Sequence, residues 1–342
     1  MLNISKSAAK KKQINYHGGR IKLLENLCVV NEKYPLFCMM KGFFTTNSII
    51  CGIFLLMISV NSFAQKKDLR KKLQTIINSH AATIGFSLTD LQNGDTLTLN
   101  GKKHLPMQSV YKFHLALAVL NQVDQGKFKL TQKILVKKSD LLPGTWSPLR
   151  EKYPNGGVEI PLSEILSFTV SQSDNNGCDI LFRLMGGPAK VNRYIHSLGI
   201  KEVAITATED QMHQNDQVQF TNWTTPAAAT QLLKLYYDKK ILAKTSYEFL
   251  WKLMTETSTG PDKIKGLLPA GTLAAHKTGN SGADKSGLTA ATNDIGIVTL
   301  PDGKHFAIAV FVSMTKENEK TTDSIIAELT KASWDYLTTG KP

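Results

Sequence analysis

The chain has 342 residues, of which 42% are hydrophobic and 20% charged, so it is long enough for one large or two modest globular domains with real cores. This composition excludes a disordered or fibrous protein. The formal net charge of +13 falls to +7 without residues 1–64, which hold 8 of the 41 basic and 2 of the 28 acidic residues. The remaining positive charge is scattered, with no basic stripe interleaved with aromatics, so we expect no nucleic-acid partner.

The first 64 residues have the pattern of a leader. A positive flank at Lys41, an apolar stretch from Ile49 to Val60 and small residues at positions 62 and 64 are typical of a cleavable signal peptide over residues 39–64. Residues 1–38 are then a non-native extension, with translation starting at Met39 or Met40. We therefore predict a periplasmic mature protein without stable membrane association. The alternative is a cytoplasmic tail before an uncleaved anchor, although the apolar run is short for a permanent span.

Cysteine and histidine usage gives no support for a disulfide or a metal site. Three of the four cysteines fall in the leader, which leaves Cys178 alone in the mature chain. The eight histidines show neither His-x-His nor His-Glu-x-x-His spacing. We therefore expect no metal and no other cofactor.

Strand patterns occur at both ends of the mature chain. Alternation over residues 84–89 and 96–99, around Asn93 and Gly94, predicts a hairpin that follows a helix near residues 69–79. Residues 274–279 have the pattern of a strand, and residues 295–300 and 306–312 that of a second hairpin. An amphipathic pattern over residues 322–337 predicts a closing helix.

The middle of the chain is predicted to be mainly helical. The apolar run from Phe113 to Val123 indicates a helix that is buried on nearly all sides. Thr225 and Pro226 form a cap-and-proline start for a helix through Tyr237, and residues 206–225 before it lack regularity, which predicts a long loop.

Together these elements predict an α+β protein whose sheet is made from both ends of the mature chain. We expect an α/β domain formed by residues 65–108 and 256–342, with an all-helical domain formed by residues 109–255.

Three Ser-x-x-Lys sequences occur in the chain, at Ser7, Ser109 and Ser313. Ser7 falls in the predicted leader, and Ser313 ends a predicted strand. Only Ser109 heads a predicted buried helix, where Lys112 lies one turn away on the same face. A buried lysine can be neutral enough to accept a proton from a serine nucleophile. Ser109 is therefore the candidate nucleophile.

Two further motifs follow Ser109-Val110-Tyr111-Lys112. Ser173-Asp174-Asn175 lies in a polar loop between apolar helices, and Lys277-Thr278-Gly279 lies on a predicted strand. In this order and these settings, the three motifs resemble those of class A serine β-lactamases. The resemblance covers about residues 65–340 and implies the serine β-lactamase and penicillin-binding-protein-like fold, with an antiparallel sheet flanked by helices, an all-helical domain and the active site between them.

The implied activity is hydrolysis of penicillins and cephalosporins through a serine acyl-enzyme, which confers antibiotic resistance. The segments Thr145-Trp146-Ser147-Pro148 and Gln211-Met212-His213 more closely resemble the extended-spectrum branch that includes the PER and VEB enzymes. That branch implies oxyimino cephalosporins among the substrates. The expected partner is the small-molecule β-lactam, and the expected state is a monomer.

The resemblance also implies catalytic roles. Ser109 would attack the lactam carbonyl, Lys112 would assist its deprotonation, and Ser173 would pass a proton to the leaving nitrogen. Glu209 would activate the deacylating water, and Asp210 is its nearest competitor for that role. Whether Lys112 or Glu209 is the acylation base stays open.

Binding roles follow in the same way. The backbone amides of Ser109 and Asn280 would form the oxyanion hole, Asn175 would hold the substrate's side-chain amide, and Lys277 with Thr278 would face its carboxylate. Trp146 would line the cleft, with plain packing as the alternative. The predicted substrate-binding residues are Trp146, Asn175, Lys263, Lys277, Thr278 and Asn280.

Three positions depart from the usual family pattern. His213 replaces an asparagine that helps to hold the deacylating water, and Asp179 replaces an asparagine that braces the same loop. These two changes predict an altered loop around Glu209. Lys263 stands where an arginine often supports carboxylate binding, and it keeps the charge but loses the planar fork.

Two other functions share parts of this pattern. A penicillin-binding D-alanyl-D-alanine carboxypeptidase has the three motifs but lacks a placed deacylating glutamate. A β-lactam sensor domain acylates once and signals, which requires transmembrane helices joined to an effector, whereas this sequence offers only its removable leader.

Overall fold

The computed structural model describes residues 65–339. The predicted extension and signal peptide, residues 1–64, lie outside the described residues. Among residues 65–339, no helix combines the length and apolarity that a membrane span requires.

The described chain consists of ten strands and ten α-helices, with short 3₁₀ turns at Gln108–Val110, Lys138–Asp140 and Asp216–Thr221. The strands are β1 (Thr83–Asp90), β2 (Thr96–Leu99), β3 (Leu105–Pro106), β4 (Lys133–Val136), β5 (Val158–Pro161), β6 (Val203–Ala204), β7 (Trp223–Thr224), β8 (Ala274–Asn280), β9 (Thr289–Thr299) and β10 (His305–Thr315). The helices are α1 (65–78), α2 (Tyr111–Asp124), α3 (Pro148–Lys152), α4 (Leu162–Ser171), α5 (Asn175–Met185), α6 (Pro188–Ser197), α7 (Glu209–Gln214), α8 (Pro226–Tyr237), α9 (Lys244–Thr255) and α10 (Glu319–Thr339).

The main sheet has five antiparallel strands in the order β2-β1-β10-β9-β8. Its register pairs Thr83 of β1 with Ser313 of β10, and Lys277 of β8 with Ile295 of β9. Both predicted hairpins are confirmed, although β9 and β10 extend well beyond the predicted runs. Strand β8, which carries the Lys-Thr-Gly motif, is an edge strand of this sheet.

Two apolar cores lie on the two sides of the main sheet. One joins the sheet to α1 and α10, with Phe86, Ile308 and Trp334 among its buried side chains. The other joins the opposite face to α2 and the helices around it, with Phe113 and Phe311 among its members. The two cores hold the sheet edge and α2 in fixed positions, and the division into two domains at residues 108 and 255 stays a prediction.

Helix α2 confirms the expected buried helix, because every residue from Tyr111 to Leu120 is buried. Helix α8 begins as predicted, with Pro226 in the first turn and the Thr225 side chain accepting a hydrogen bond from the Ala228 amide. The burial of α2 places a lysine side chain inside the protein.

The prediction of a long irregular loop over residues 206–225 was wrong in part. This segment contains the six-residue helix α7, because Thr208 caps it and the Gln211 side chain completes a reciprocal capping box. Helix α9 has no counterpart in the sequence-based prediction; its inner face packs Leu250 and Met254 into the core around α2.

Candidate active site

A cavity of about 1170 Å³ opens where β8, the Ser109 turn, the α4–α5 connection and α7 meet. It brings together predicted residues that are far apart in the chain. Those lining it are Ser109, Trp146, Ser173, Asn175, Glu209, Lys263, Thr278 and Asn280. Lys112 and Lys277 are fully buried behind this lining.

Ser109 lies in the 3₁₀ turn that leads into α2, so the α-helix itself begins two residues later than the motif suggested. The preceding residue, Gln108, is held at a φ of +48°, a conformation that is costly for a residue other than glycine. Strand β8 passes very close to this turn at Gly279, where a Cβ would lie 2.5 Å from the Met107 carbonyl oxygen and 3.2 Å from the Ser109 nitrogen. Glycine is needed here for the two backbones to approach.

Lys112 is the centre of a buried polar cluster. Its Nζ donates to the Ser173 carbonyl oxygen at 2.8 Å and to Asn175 Oδ1 at 2.5 Å. The same nitrogen lies 3.0 Å from Glu209 Oε1. A buried ammonium requires such partners to offset its lost hydration. Lys112 thus joins the Ser109 helix to the second motif and to Glu209.

Ser173 and Lys277 form a second contact between motifs. Lys277 Nζ donates to Ser173 Oγ at 2.8 Å and to the Thr278 carbonyl oxygen at 2.9 Å. Burial, together with the nearby charge of Lys112, holds the pKa of Lys277 well below its usual range. Ser173 lines the cavity and has a φ of +58°, a value that is costly for a residue other than glycine.

Asp174 fixes the backbone between Ser173 and α5. Its carboxylate accepts hydrogen bonds from the Gly177 amide at 2.7 Å and the Leu149 amide at 2.6 Å, and it also accepts from the buried Ser147 hydroxyl. Asp174 is therefore the N-cap of α5, and its neighbour Asn175 is the first helical residue. This arrangement leaves the Asn175 side chain available to Lys112 and to the Thr145 hydroxyl, to which it donates at 2.6 Å.

Glu209 is the first residue of α7, and Asp179 of α5 holds that helix start. Asp179 accepts hydrogen bonds from the Glu209 amide at 2.8 Å and the Asp210 amide at 2.9 Å. A carboxylate at a helix N-terminus satisfies amides that have no partner inside the helix. Burial raises the pKa of Asp179 to about 7, and the Glu209 charge acts in the same direction.

Asp210 and His213 occupy different positions relative to the cavity. The Asp210 carboxylate accepts from the Gln214 side chain at 2.9 Å, and Asp210 is not part of the cavity lining. His213 lines the cavity, near the backbone of Gly144. Of the two neighbouring carboxylates, Glu209 and Asp210, Glu209 is therefore the one that faces the cavity.

The far end of the cavity combines hydroxyl, cationic and acidic groups. The hydroxyls of Thr259 and Thr278 lie 2.6 Å apart. Lys263 is 3% exposed, and its Nζ lies 3.7 Å from Asp323 Oδ1. Burial raises the pKa of Asp323, and the Lys263 charge opposes that shift. Asn280 donates through its side chain to Glu319 Oε1 at 2.9 Å.

Trp146 lies at the rim of the cavity and is 58% exposed. Its indole nitrogen donates to the Gln172 carbonyl oxygen at 2.8 Å, which fixes the ring beside the α4–α5 connection. A plain core-packing role does not fit this exposure.

Sequence reasoning missed several residues at the site. Tyr111 is buried close to Glu209, and burial raises the pKa of its phenol; its place inside the Ser-x-x-Lys motif was the available signal. Asp323 contacts Lys263, and Thr259 contacts Thr278. The partners in each pair lie far apart in the sequence, so no local pattern predicted these contacts. No cluster of metal-ligating side chains occurs among residues 65–339.

Comparison with known proteins identifies the family. Residues 68–337 match the model of the β-lactamase enzyme family. The chain is 44% identical to the extended-spectrum β-lactamase PER-1 of Pseudomonas aeruginosa over 292 residues, covering 84% of this chain and 94% of that protein. It is 44% identical to β-lactamase VEB-1 of the same organism over 279 residues, covering 81% and 93%.

Solved structures agree with these sequence relationships. TLA-1 extended-spectrum β-lactamase superposes with a TM-score of 0.78 at 53% identity, covering 80% of this chain and 99% of that one. A β-lactamase from Chitinophaga pinensis superposes with a TM-score of 0.78 at 54% identity, covering 79% and 100%. The chain therefore belongs to the β-lactamase enzyme family, and it is a class A serine β-lactamase.

Proposed function

We propose that Ser109 Oγ attacks the carbonyl carbon of a β-lactam ring and that the site then hydrolyses the resulting ester. The new bond joins Oγ to the carbonyl carbon, and the strained bond from that carbon to the lactam nitrogen breaks. The observation that carries the proposal is the 3.0 Å approach of Glu209 Oε1 to Lys112 Nζ, beside the cavity lined by Ser109. One connected cluster then serves both acylation and deacylation.

The backbone amides of Ser109 and Asn280 form the oxyanion hole in this proposal. The close approach of β8 at Gly279 supports it, because only 3.2 Å would separate a Cβ there from the Ser109 nitrogen. Two amides aimed at one point stabilise the negative charge that develops on the carbonyl oxygen.

The Ser109 proton passes to Lys112 or, through water, to Glu209, and which of the two is the acylation base stays open. Ser173 then delivers a proton to the leaving nitrogen, supported by the donation from Lys277 to its hydroxyl. The Ser173 hydroxyl, Lys277 and Thr278 face the substrate carboxylate. Lys263 adds positive charge from the loop that precedes β8. Asn175 and Trp146 bind the acylamino side chain of the substrate.

Glu209 removes a proton from a water that attacks the acyl-enzyme. The water oxygen bonds to the carbonyl carbon, the bond to Ser109 Oγ breaks, and the proton returns to Oγ. Penicillins and cephalosporins are the proposed substrates, including oxyimino cephalosporins, as the extended-spectrum names of PER-1 and TLA-1 suggest. We propose that the mature protein acts as a periplasmic monomer.

Glu209→Gln separates the two half-reactions and tests this proposal. The variant keeps the shape of the side chain but cannot act as a base, so we expect a burst of nitrocefin cleavage followed by turnover slowed about 10³-fold. Intact-protein mass spectrometry should show the acyl adduct accumulating. Ser109→Ala is the control, which should show neither burst nor adduct.

The result also separates the rival functions. Unchanged turnover in Glu209→Gln would exclude Glu209 as the deacylating base. A wild-type protein that itself stalls as a long-lived adduct would favour the carboxypeptidase or the sensor.

A further inference from the structure

A buried histidine–aspartate pair lies behind the Lys-Thr-Gly motif and has no role in the chemistry described so far. His276 and Asp294 both have fully buried side chains. His276 Nδ1 lies 2.9 Å from Asp294 Oδ2 and 3.1 Å from Oδ1. Burying an ionisable pair away from water costs free energy, which contacts with neighbouring groups must offset.

The pair lies on the same face of the sheet as Thr278. His276 and Thr278 alternate with Lys277 along β8, so their side chains share one face. Asp294 of β9 is directly opposite Thr278 in the register, and cross-strand partners point to the same side. Gly296 opposite His276 leaves room for the ring, because a Cβ there would lie 2.8 Å from the His276 Cβ.

The pair also holds the segment that carries Lys263. Asp294 Oδ2 accepts a hydrogen bond from the Ile264 amide at 3.3 Å, and the His276 carbonyl oxygen accepts from the Thr257 hydroxyl at 2.8 Å. Residues 257–264 are therefore tied to β8 and β9 on both sides of Lys263. One carboxylate connects the strand of Lys277 with the loop of Lys263.

The hydrogen bonding of the ring indicates which of its nitrogens carries the proton. His276 Nε2 has no hydrogen-bond partner among residues 65–339, so a proton on that nitrogen would lack an acceptor. The tautomer with its proton on Nδ1 donates to Asp294 and leaves no unpaired proton on Nε2.

Three lysines of the site are buried, and two of them have an acidic partner. Lys112 is paired with Glu209, and Lys263 is paired with Asp323. Lys277 has no carboxylate at ion-pair distance in the described part of the chain, and Asp294 is the group that most opposes the lowering of its pKa by burial and Lys112.

We propose that His276 and Asp294 are positioning residues that hold Lys277 and Lys263 in place for the substrate carboxylate. The inference rests on the proposed function, since it assumes that Lys277 faces that carboxylate. Asp294 accepts the hydrogen bond from the Ile264 amide next to Lys263, and His276 orients Asp294 through Nδ1.

The test compares nitrocefin with its methyl ester, which lacks the carboxylate. In Asp294→Asn and His276→Ala we expect the KM for the acid to rise about tenfold, with kcat changed less than about threefold and the KM for the ester unchanged. His276→Asn should stay near wild type, because its amide can donate to Asp294 where Nδ1 does. Ser87→Ala, which removes a buried hydroxyl contact with Thr230 remote from the cavity, is the control for general loosening.

An equal rise in KM for both substrates, or no rise for either, would overturn the positioning role. If Asp294→Asn does not fold, as judged by thermal melting, the contrast between His276→Asn and His276→Ala decides the question in the same way. Wild-type hydrolysis of nitrocefin that depends on Ser109, with a lower KM for the acid than for the ester, supports the proposed function independently. These measurements therefore distinguish a failure of the positioning role of His276 and Asp294 from a failure of the proposed function.

Discussion

The two sides of the active site are built in different ways. Ser109, Lys112 and Lys277 lie on or beside long buried elements, α2 and the main sheet, whose cores hold them from behind. Glu209 lies at the start of a six-residue helix that buries only Met212. The Glu209 side therefore depends on a few polar contacts, above all those of Asp179 and Thr208.

This difference means that the two half-reactions should respond differently to substitution. Acylation residues are positioned by packing, which resists small perturbations. Glu209 is positioned by hydrogen bonds to a short helix, which has little stability of its own. Changes in the supports of α7 should therefore slow deacylation before they affect acylation.

Asp179→Asn should change the pH dependence of stability. Because the folded-state pKa of Asp179 is about 7 and its ordinary value is 3.8, the folded protein binds more protons between these values. The contribution of this group to stability is thus fully present below about pH 4 and is lost as the pH rises through 7. From pH 5 to pH 8, we expect the wild type to lose about 3 kcal/mol more unfolding free energy than the variant.

Urea denaturation at the two pH values measures this difference. Asp216→Asn, an exposed acid in the 3₁₀ turn that follows α7, is the matched control and should follow the wild type. Parallel pH profiles for Asp179→Asn and the wild type would show that Asp179 does not titrate as described.

Gly279→Ala tests the packed side. The added methyl would meet the Met107 carbonyl oxygen at 2.5 Å, so β8 or the Ser109 turn must move. We expect kcat/KM to fall about 100-fold, or about 2.7 kcal/mol, through slower acylation. Stopped-flow measurement of the nitrocefin burst gives the acylation rate directly.

Gly126→Ala controls for the loss of a glycine. It lies outside the cavity lining at a φ of +72°, so it should lower stability without changing the burst. A normal acylation rate in Gly279→Ala would contradict the need for close approach at that position.

Thr208→Ala gives the smallest expected effect. It removes the side-chain cap of α7, which accepts from the Gln211 amide at 3.3 Å. We expect a loss of about 1 kcal/mol in unfolding free energy and a several-fold slower deacylation. Thr225→Ala removes the equivalent cap of α8 and should cost similar stability without slowing deacylation. Equal deacylation rates in the two variants would mean that the cap of α7 does not position Glu209.

Much of the packed side could be predicted from sequence because its signals are local. The apolar run after Ser109 predicted a buried helix, and the strand-like pattern of residues 274–279 predicted the strand of Lys277. Short motifs on regular elements carry their own geometry, so spacing alone placed Ser109 and Lys112 one turn apart. The exact start of α2 was not predictable, since the preceding turn depends on the approach of Gly279 from a distant strand.

The Glu209 side was harder to predict because its determinants are not local. Helix α7 depends on Asp179, which precedes Glu209 by 30 residues and belongs to another helix. The pairing of Lys263 with Asp323 likewise joins a loop to α10. No periodicity within either segment records these contacts.

The pairing of β1 with β10 has a consequence for how the chain matures. Thr83 pairs with Ser313, so the sheet cannot be completed until the segment around Ser313 has been synthesised. Contacts between such distant segments form slowly, since a long loop must close first. Strands β1 and β10 can therefore pair only after every residue between them, including Ser109, Glu209 and Lys277, has been synthesised.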